Sequence, residues 1–243
     1  MIDIHTHVLP GIDDGAADLE VAVEMCLLAA AAGGEALIAT PHQRTATWEN
    51  TDPGALEALR RAVEDAAGGA PKLLPGGEIR VDSMLLDELE RHPETGLLPL
   101  AGSRYLLLEF ARRGPVPDPL TLTHELTVAG WVPVLAHPEM IPFLAADLDL
   151  MARLADAGAL FQITAMCVSG DAGPRFQALC DRMIDRGLVH FVASDAHGTA
   201  RRPPDLHRAR RRLEERWGEE LAERLTAGNP RRVVEDRAVV IVP

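Results

Sequence analysis

Histidines at positions 5 and 7 stand two apart inside MIDIHTHVLPGIDDG, residues 1–15. Met1, Ile2 and Ile4 read as a short buried strand, and strand residues two apart point to the same side. Both imidazoles can therefore face one point. Asp13, Asp14 and Gly15 follow a Pro-Gly turn and return carboxylates to the same end. Imidazole with carboxylate is a donor set of mixed hardness, suited to zinc, manganese or iron. A His-x-His pair is common by chance, so its weight depends on partners elsewhere in the chain.

Those partners recur at strand ends. His42, Glu78, Glu109, His137, Asp195 and His197 each lie at or just past the end of a short apolar run. These are the side chains that bind divalent cations. With Asp14 the set is too large for one ion, since a catalytic zinc-like site takes about three protein ligands plus water. Two or three ions are expected. Closely spaced ions generate hydroxide at neutral pH and stabilise attacking and leaving oxygens, a device for hydrolysing phosphate esters or amides.

The elements that must position these residues alternate along the chain. Helices are expected over 17–33, from Asp52-Pro53 to about 67, and over 83–91. Further helices are expected from Asp118-Pro119 to 129, and over 145–157, 174–186 and 205–226. The Asp-Pro pairs supply a capping carboxylate followed by proline at the first helical position. Strands are expected at 36–40, 72–75, 105–110, 131–136, 159–164 and 188–194. About seven strand–helix units argue an α/β fold with a parallel sheet. They fit a closed or nearly closed (β/α) barrel in one domain spanning 1–243, with a doubly wound open sheet as the alternative. In a parallel barrel all strand C-termini lie on one face, where active sites are built. Residues scattered along most of the chain would then meet at one rim.

Composition narrows the class. The 243 residues are 47% hydrophobic, enough for a sizeable core, and carry a formal charge of −13. That charge argues against general binding of nucleic acid or of anionic membranes. No apolar run reaches membrane-spanning length and the start lacks a basic leader. The 3 cysteines are few and widely spaced, as in a reducing cytoplasm, so a cytoplasmic protein is expected. Oligomerisation is left open.

The motifs MIDIHTHVLPGIDDG, ATPHQ, GGEIR, LLEF, LAHPE and VASDAHG, in this order and spacing, resemble the polymerase-and-histidinol-phosphatase (PHP) superfamily. More closely, they are similar to bacterial manganese-dependent tyrosine-protein phosphatases of the CpsB/YwqE type. The likeness runs nearly end to end, including the RRPP and GNPRRVV segments. It implies a distorted (β/α)7 TIM-like barrel with three ions at the strand C-termini, manganese first and iron or zinc as alternatives. By the same resemblance His5, His7 and Asp195 would hold the first ion and Glu78 would bridge. Glu109 and His137 would hold the second, and Asp14, His42 and His197 the third. Asp14 is preferred to Asp13 because it directly precedes the glycine; Asp13 would hold the loop. The implied substrate is a phosphotyrosine-bearing protein, a tyrosine kinase of capsule or exopolysaccharide synthesis. A metal-bridging hydroxide would attack phosphorus.

One position departs from that pattern. The family commonly reads His-x-Glu-Arg where this chain has His137-Pro138-Glu139-Met140. Arg202 matches a family arginine, and Arg44, Arg112 and Arg113 lie beside other motifs. Arg113, with Arg112, follows the Glu109 motif closely enough to compensate. The rival functions are a small-molecule phosphomonoesterase of the histidinol-phosphatase kind, an amidohydrolase-like enzyme, and a non-catalytic binding module. No lysine follows a strand where carbamylation could bridge ions, which weighs against the amidohydrolase.

Several features have plainer explanations. Cys180 and Arg186 share the spacing of cysteine-based phosphatases, but Asp181 and Asp185 between them would repel phosphate and a helix covers them. Cys26, Cys167 and Cys180 read as buried small apolar residues. His190 reads as a core residue; His92, His124 and His207 read as surface. Glu35, Glu88 and Glu90 need no role. Arg208 to Arg212 are followed by Glu214, Glu215, Glu219 and Glu220 at helical pairing distance, which describes a solvated helix face.

Overall fold

The computed structural model describes residues 1–241. Its strands are β1 (Ile2–Thr6), β2 (Ala36–Ala39), β3 (His42–Gln43), β4 (Lys72–Pro75), β5 (Glu78–Arg80), β6 (Tyr105–Glu109), β7 (Val132–Ala136), β8 (Leu160–Thr164) and β9 (Phe191–Ala193). The fold is mixed α/β with parallel sheets. One sheet has the order β1-β2-β4 and the other β3-β5-β6-β7-β8-β9, and every strand pair is parallel.

The two sheets are stitched together at the site. β2 passes into β3 through Thr40-Pro41, and Pro41 has no N–H to give a ladder. β4 passes into β5 through Gly76-Gly77. At Gly77 a Cβ would fall 2.2 Å from Oε1 of the buried Gln43, so a larger residue there would have to displace that side chain. On the other flank the Asp195 amide donates to the His5 carbonyl at 3.0 Å, and the His7 amide to that of Ala196 at 2.9 Å. A parallel bridge joins Thr6 to Ala196.

Period-two alternation divides the core. Ile4, Ile38, Leu107, Val134 and Phe191 form one buried cluster between the strands. Leu108, Leu135, Phe161 and Ile163 face the other way and pack with Leu126, Leu154 and Met183 of the surrounding helices. Each such buried side chain contributes roughly 1.5–3 kcal/mol by leaving water.

Helix starts follow the Asp-Pro signals. The Asp52 carboxylate accepts from the amides of Gly54 and Ala55 and heads Pro53–Ala66. Asp118 accepts from the Thr121 amide and heads Pro119–Val128. Two expected helices are broken. Residues 145–157 resolve into Pro142–Ala146 and Leu148–Asp156, because the Asp147 side chain caps Asp149 and Leu150 and starts a new helix. The stretch 205–226 breaks at Gly218, whose φ of 90° suits no continuing helix; it separates His207–Trp217 from Glu219–Glu223. The last strand is only Phe191–Ala193, and the helices Ala165–Ser169 and Asn229–Val234 were not foreseen.

Candidate metal centre

The strand ends bring the expected donors to one rim. β1 carries His5, and His7 follows it. β3 begins with His42, directly opposite Glu78 in β5. Glu109 ends β6, and His137 follows β7. Asp195 and His197 follow β9. His137 and Asp195 have φ of 34° and 53°, a left-handed backbone that costs a β-carbon residue about 1–3 kcal/mol and is found where function fixes a side chain. Gly15 closes the first loop: a Cβ there would meet the His7 carbonyl oxygen, so the DDG turn can fold back onto the histidine only with glycine.

The donor atoms stand at the separations of ligands that share an ion. Two ligands at about 2.1 Å from one tetrahedral ion lie roughly 3.4 Å apart. Nε2 of His5 and His7 are 3.2 Å apart. Oδ1 of Asp195 lies 3.4 Å from the first and 3.6 Å from the second. Oδ1 of Asp14 lies 3.3 Å from Nε2 of His42 and 3.2 Å from Nε2 of His197. Glu78 approaches His5 and His7 at 3.5 Å each with its two oxygens. Convergent groups are His5, His7 and Asp195; His7, Asp14, His42 and His197; and His42, Glu78 and Glu109. His7 and His42 each belong to two groups. His137 falls in none of these groups; its Nε2 lies 2.8 Å from Oε1 of Glu78.

The outer nitrogens are already used. Nδ1–H of His5 donates to Oε1 of Gln162 at 2.8 Å, that of His7 to Oδ2 of Asp13 at 2.8 Å, and that of His197 to the Asp195 carbonyl at 2.8 Å. Each bond fixes a tautomer and aims the Nε2 lone pair at the cluster, as the outer partners of metal-binding histidines do. Asp13 thus orients a donor as well as holding the loop through the Gly15 amide. Nδ1 of His42, 2.8 Å from Oε2 of Glu78, and Nδ1 of His137 are buried without a well-formed hydrogen bond. Orphaned polar atoms and facing lone pairs fit divalent cations.

Without cations the cluster holds protons instead. Burial would lower His7, but hydrogen bonds to Asp13 and Glu78 outweigh it and raise its pKa to about 10. His137 rises to about 9 against burial, through Glu78. Burial pushes His197 down to about 4, helped by the His7 charge. Burial and the neighbouring Glu78 raise Glu109. Against its own burial Glu78 is held well below the usual carboxylate range by His5, His137 and His42. A cation entering such a site displaces protons.

The arginines differ in placement. Arg202 Nη1 bonds Oδ2 of Asp195 at 2.7 Å and is partly exposed. Arg44 is turned away: it pairs with Glu88 at 2.6 Å and Asp82 at 2.8 Å and donates to the Arg80 carbonyl. Glu88, which the sequence left without a task, is its main anchor. Arg113 is exposed. Its neighbour Arg112 approaches Met140, with Nη2 at 3.5 Å from the thioether sulfur.

A family model described as capsular polysaccharide synthesis, CpsB/CapC, matches residues 1–235. The chain belongs to the CpsB/CapC family. It is similar to tyrosine-protein phosphatase YwqE of Bacillus subtilis, 34% identical over 230 residues, with 93% of this chain and 89% of the relative covered. It is 29% identical over 246 residues to tyrosine-protein phosphatase CpsB of Streptococcus pneumoniae, covering 98% and 100%. Crystal structures of those two proteins, described as unique metal-dependent tyrosine phosphatases, provide a match with a TM-score of 0.93 at 32% identity. That match covers 100% of this chain and 98% of the other.

In this CpsB/CapC chain several site-lining residues escaped the sequence reading. Arg80 pairs with Oε2 of Glu109 at 2.9 Å; its signal was the i, i+2 spacing from Glu78 on one strand. Gln162 was a polar residue in an apolar strand. Glu139, next to His137, is buried and accepts from the Thr164 amide at 2.8 Å, and burial raises its pKa. Trp48, on a loop with no periodic pattern, stacks on His42. The plainer readings fared well: Cys26, Cys167 and Cys180 are buried, and the His190 ring accepts from the Phe161 amide at 3.1 Å. His92 is the exception, half-buried edge-on against Trp131.

Proposed function

We propose that this chain is a metal-dependent protein-tyrosine phosphatase acting on a tyrosine kinase of capsule or exopolysaccharide synthesis. The observation that carries it is the sharing of His7 and His42 between overlapping donor groups, which suits two or three adjacent ions, manganese first. The ligands would be His5, His7, Asp14, His42, Glu78, Glu109, His137, Asp195 and His197. Bound there, the ions would supply hydroxide at neutral pH and positive charge for the phosphoryl oxygens.

The chain's own residues do the rest. Asp14 is 48% exposed while Glu78 is 1% exposed, so a phosphate ester enters past Asp14. Arg202, held by Asp195, offers its remaining N–H groups to a phosphoryl oxygen, and a guanidinium can grip two at once. Arg112 brings a second guanidinium beside Met140, in the role first expected of Arg113. The phenolate needs little help to leave, because tyrosine's pKa of about 10 makes it a tolerable leaving group.

The two parallel sheets, joined through Thr40-Pro41, Gly76-Gly77 and the Thr6–Ala196 bridge, support a distorted (β/α)7 barrel within one domain. Among the described residues no helix is long and apolar enough to cross a membrane; a cytoplasmic site of action fits a cytoplasmic kinase domain as substrate. The thioether at Met140 gives a second reading, hydrolysis of a small phosphate ester. One panel decides between them: phosphotyrosyl peptides, phosphoseryl peptides and phosphorylated metabolites, assayed with added Mn²⁺. Preference for the phosphotyrosyl peptides is expected. Preference for a metabolite would replace the protein substrate, and no phosphate release from any member would overturn both readings.

A further inference from the structure

A ring stands at the open side of the donor rim. The indole of Trp48 lies nearly parallel to the His42 imidazole, with centroids 5.3 Å apart and planes 10° apart. Aromatic residues make up 4% of this chain. Trp131 and Trp217 are engaged elsewhere, one against His92 and the other with Asp185 and the arginines of its own helix. Trp48 is half-buried, so part of the indole remains accessible. Its neighbour in the stack, His42, faces Asp14, the most exposed of the candidate donors. The deep side is closed, with His5, His7 and Glu78 all buried.

The loop that carries Trp48 is fixed rather than loose. Its Thr45 hydroxyl accepts from the Trp48 amide at 2.8 Å, and the Arg44 amide donates to the Glu49 carbonyl at 3.1 Å. Arg44, with φ of 61°, ties one end to Glu88 and Asp82. At the other end the Asn50 side chain donates to the carbonyls of Ile12 and His42 at 3.0 and 2.9 Å. An indole held this way meets a ligand without losing freedom on binding.

We propose that Trp48 determines specificity by docking the aromatic ring of the substrate while the phosphate sits on the donor rim. A phenyl ring one oxygen away from that phosphate, leaving by the Asp14 side, reaches the indole face; an alkyl phosphate offers nothing to stack. The anchored arginine, Arg44, serves this platform and does not grip phosphate. The inference rests on the phosphotyrosine reading above.

The test compares ring and no ring on the intact, Mn²⁺-loaded protein. Binding of benzylphosphonate, whose CH2 stands in for the ester oxygen, and of methylphosphonate is measured by calorimetry for wild type, Trp48→Ala and Trp48→Phe, with bound metal determined for each. An aromatic contact of this kind corresponds to roughly a tenfold preference for the phenyl ligand. Wild type should show it, Trp48→Ala should lose it with metal content unchanged, and Trp48→Phe should keep most of it. KM for a phosphotyrosyl peptide should rise with the same pattern while kcat holds. An unchanged phenyl preference in Trp48→Ala overturns the proposal. So does an equal loss of both ligands together with metal, which would make Trp48 only a prop for His42. A wild type that binds benzylphosphonate preferentially but releases no phosphate from phosphotyrosyl peptides would sink the phosphatase reading and leave the ring-docking role standing.

Discussion

The donor rim at the strand ends and the helix His207–Trp217 are both crowded with ionisable side chains, and they satisfy them in opposite ways. On the helix each charge finds a protein partner. Arg210 pairs with Glu214 at 2.7 Å and Arg211 with Glu215 at 3.6 Å, one turn on; Arg212 reaches Asp181 at 2.7 Å and Arg208 reaches Asp171 at 2.9 Å. The pairs of Arg208 and Arg211 sit in solvent and contribute little each, while Arg212 and Asp181 are partly buried and joined through both carboxylate oxygens. On the rim the carboxylates and imidazoles come from separate strands and, Asp14 apart, are largely buried, and their lone pairs face one another. Burying such groups is costly unless a counter-charge joins them. Charge that is paired within a helix describes a surface, whereas charge collected by topology and left facing inward describes a binding site.

That contrast can be broken at its centre. Glu78 touches His5, His7, His42 and His137, so Glu78→Ala should disturb more than one ion. Phosphatase turnover is expected to fall by about 10²- to 10³-fold or more, the scale seen when one charge-stabilising group is lost. Elemental analysis after reconstitution with Mn²⁺ should show reduced metal. A full metal load with normal turnover would mean that the rim is not the site.

A buried imidazole outside the rim sharpens the comparison from another side. Burial, with the Arg224 charge nearby, depresses the pKa of His190 to about 4. Between that value and an unfolded pKa of about 6.5 the unfolded chain binds more protons. Stability from this group is therefore complete above the upper value and lost as pH falls through the window. The loss approaches about 3 kcal/mol. His190→Gln should flatten that part of the stability curve when urea unfolding is followed at saturating metal; an unchanged slope would show that other groups carry the acid sensitivity.

Orientation of the donors is the next level down. Asp13→Asn keeps an oxygen for the Gly15 amide but removes the charge that holds the His7 Nδ1 proton. Metal affinity should weaken by roughly 10- to 100-fold, the usual effect of losing such a partner, with the fold intact by circular dichroism. Affinity equal to wild type would reduce Asp13 to a loop residue.

The smallest effect belongs to the helix. Arg211→Ala breaks an exposed pair and should change stability by less than about 0.5 kcal/mol. Turnover and metal content should not move. A measurable loss of activity there would mean that the helix face takes part in substrate binding after all.

Much of this molecule is written locally. Apolar runs ending in His, Asp or Glu, with Asp-Pro helix starts between them, are enough to specify alternating strands and helices. They also name the donors, because strand ends are defined by short-range pattern. The basic stretch from Arg208 to Arg212 was legible as a surface in part, since Arg210 and Arg211 find Glu214 and Glu215 one turn on, whereas Arg208 and Arg212 reach Asp171 and Asp181 far away in the chain. The tertiary structure alone decided what depended on distant approach. It turned Arg44 toward Glu88, set Arg112 against Met140, matched Gln162 of β8 to His5 of β1, and laid Trp48 on His42. None of these has a periodicity or a spacing to betray it. Each arises because strands far apart in sequence end at one rim, where burial removes water and leaves a polar atom only the partners that packing brings within reach.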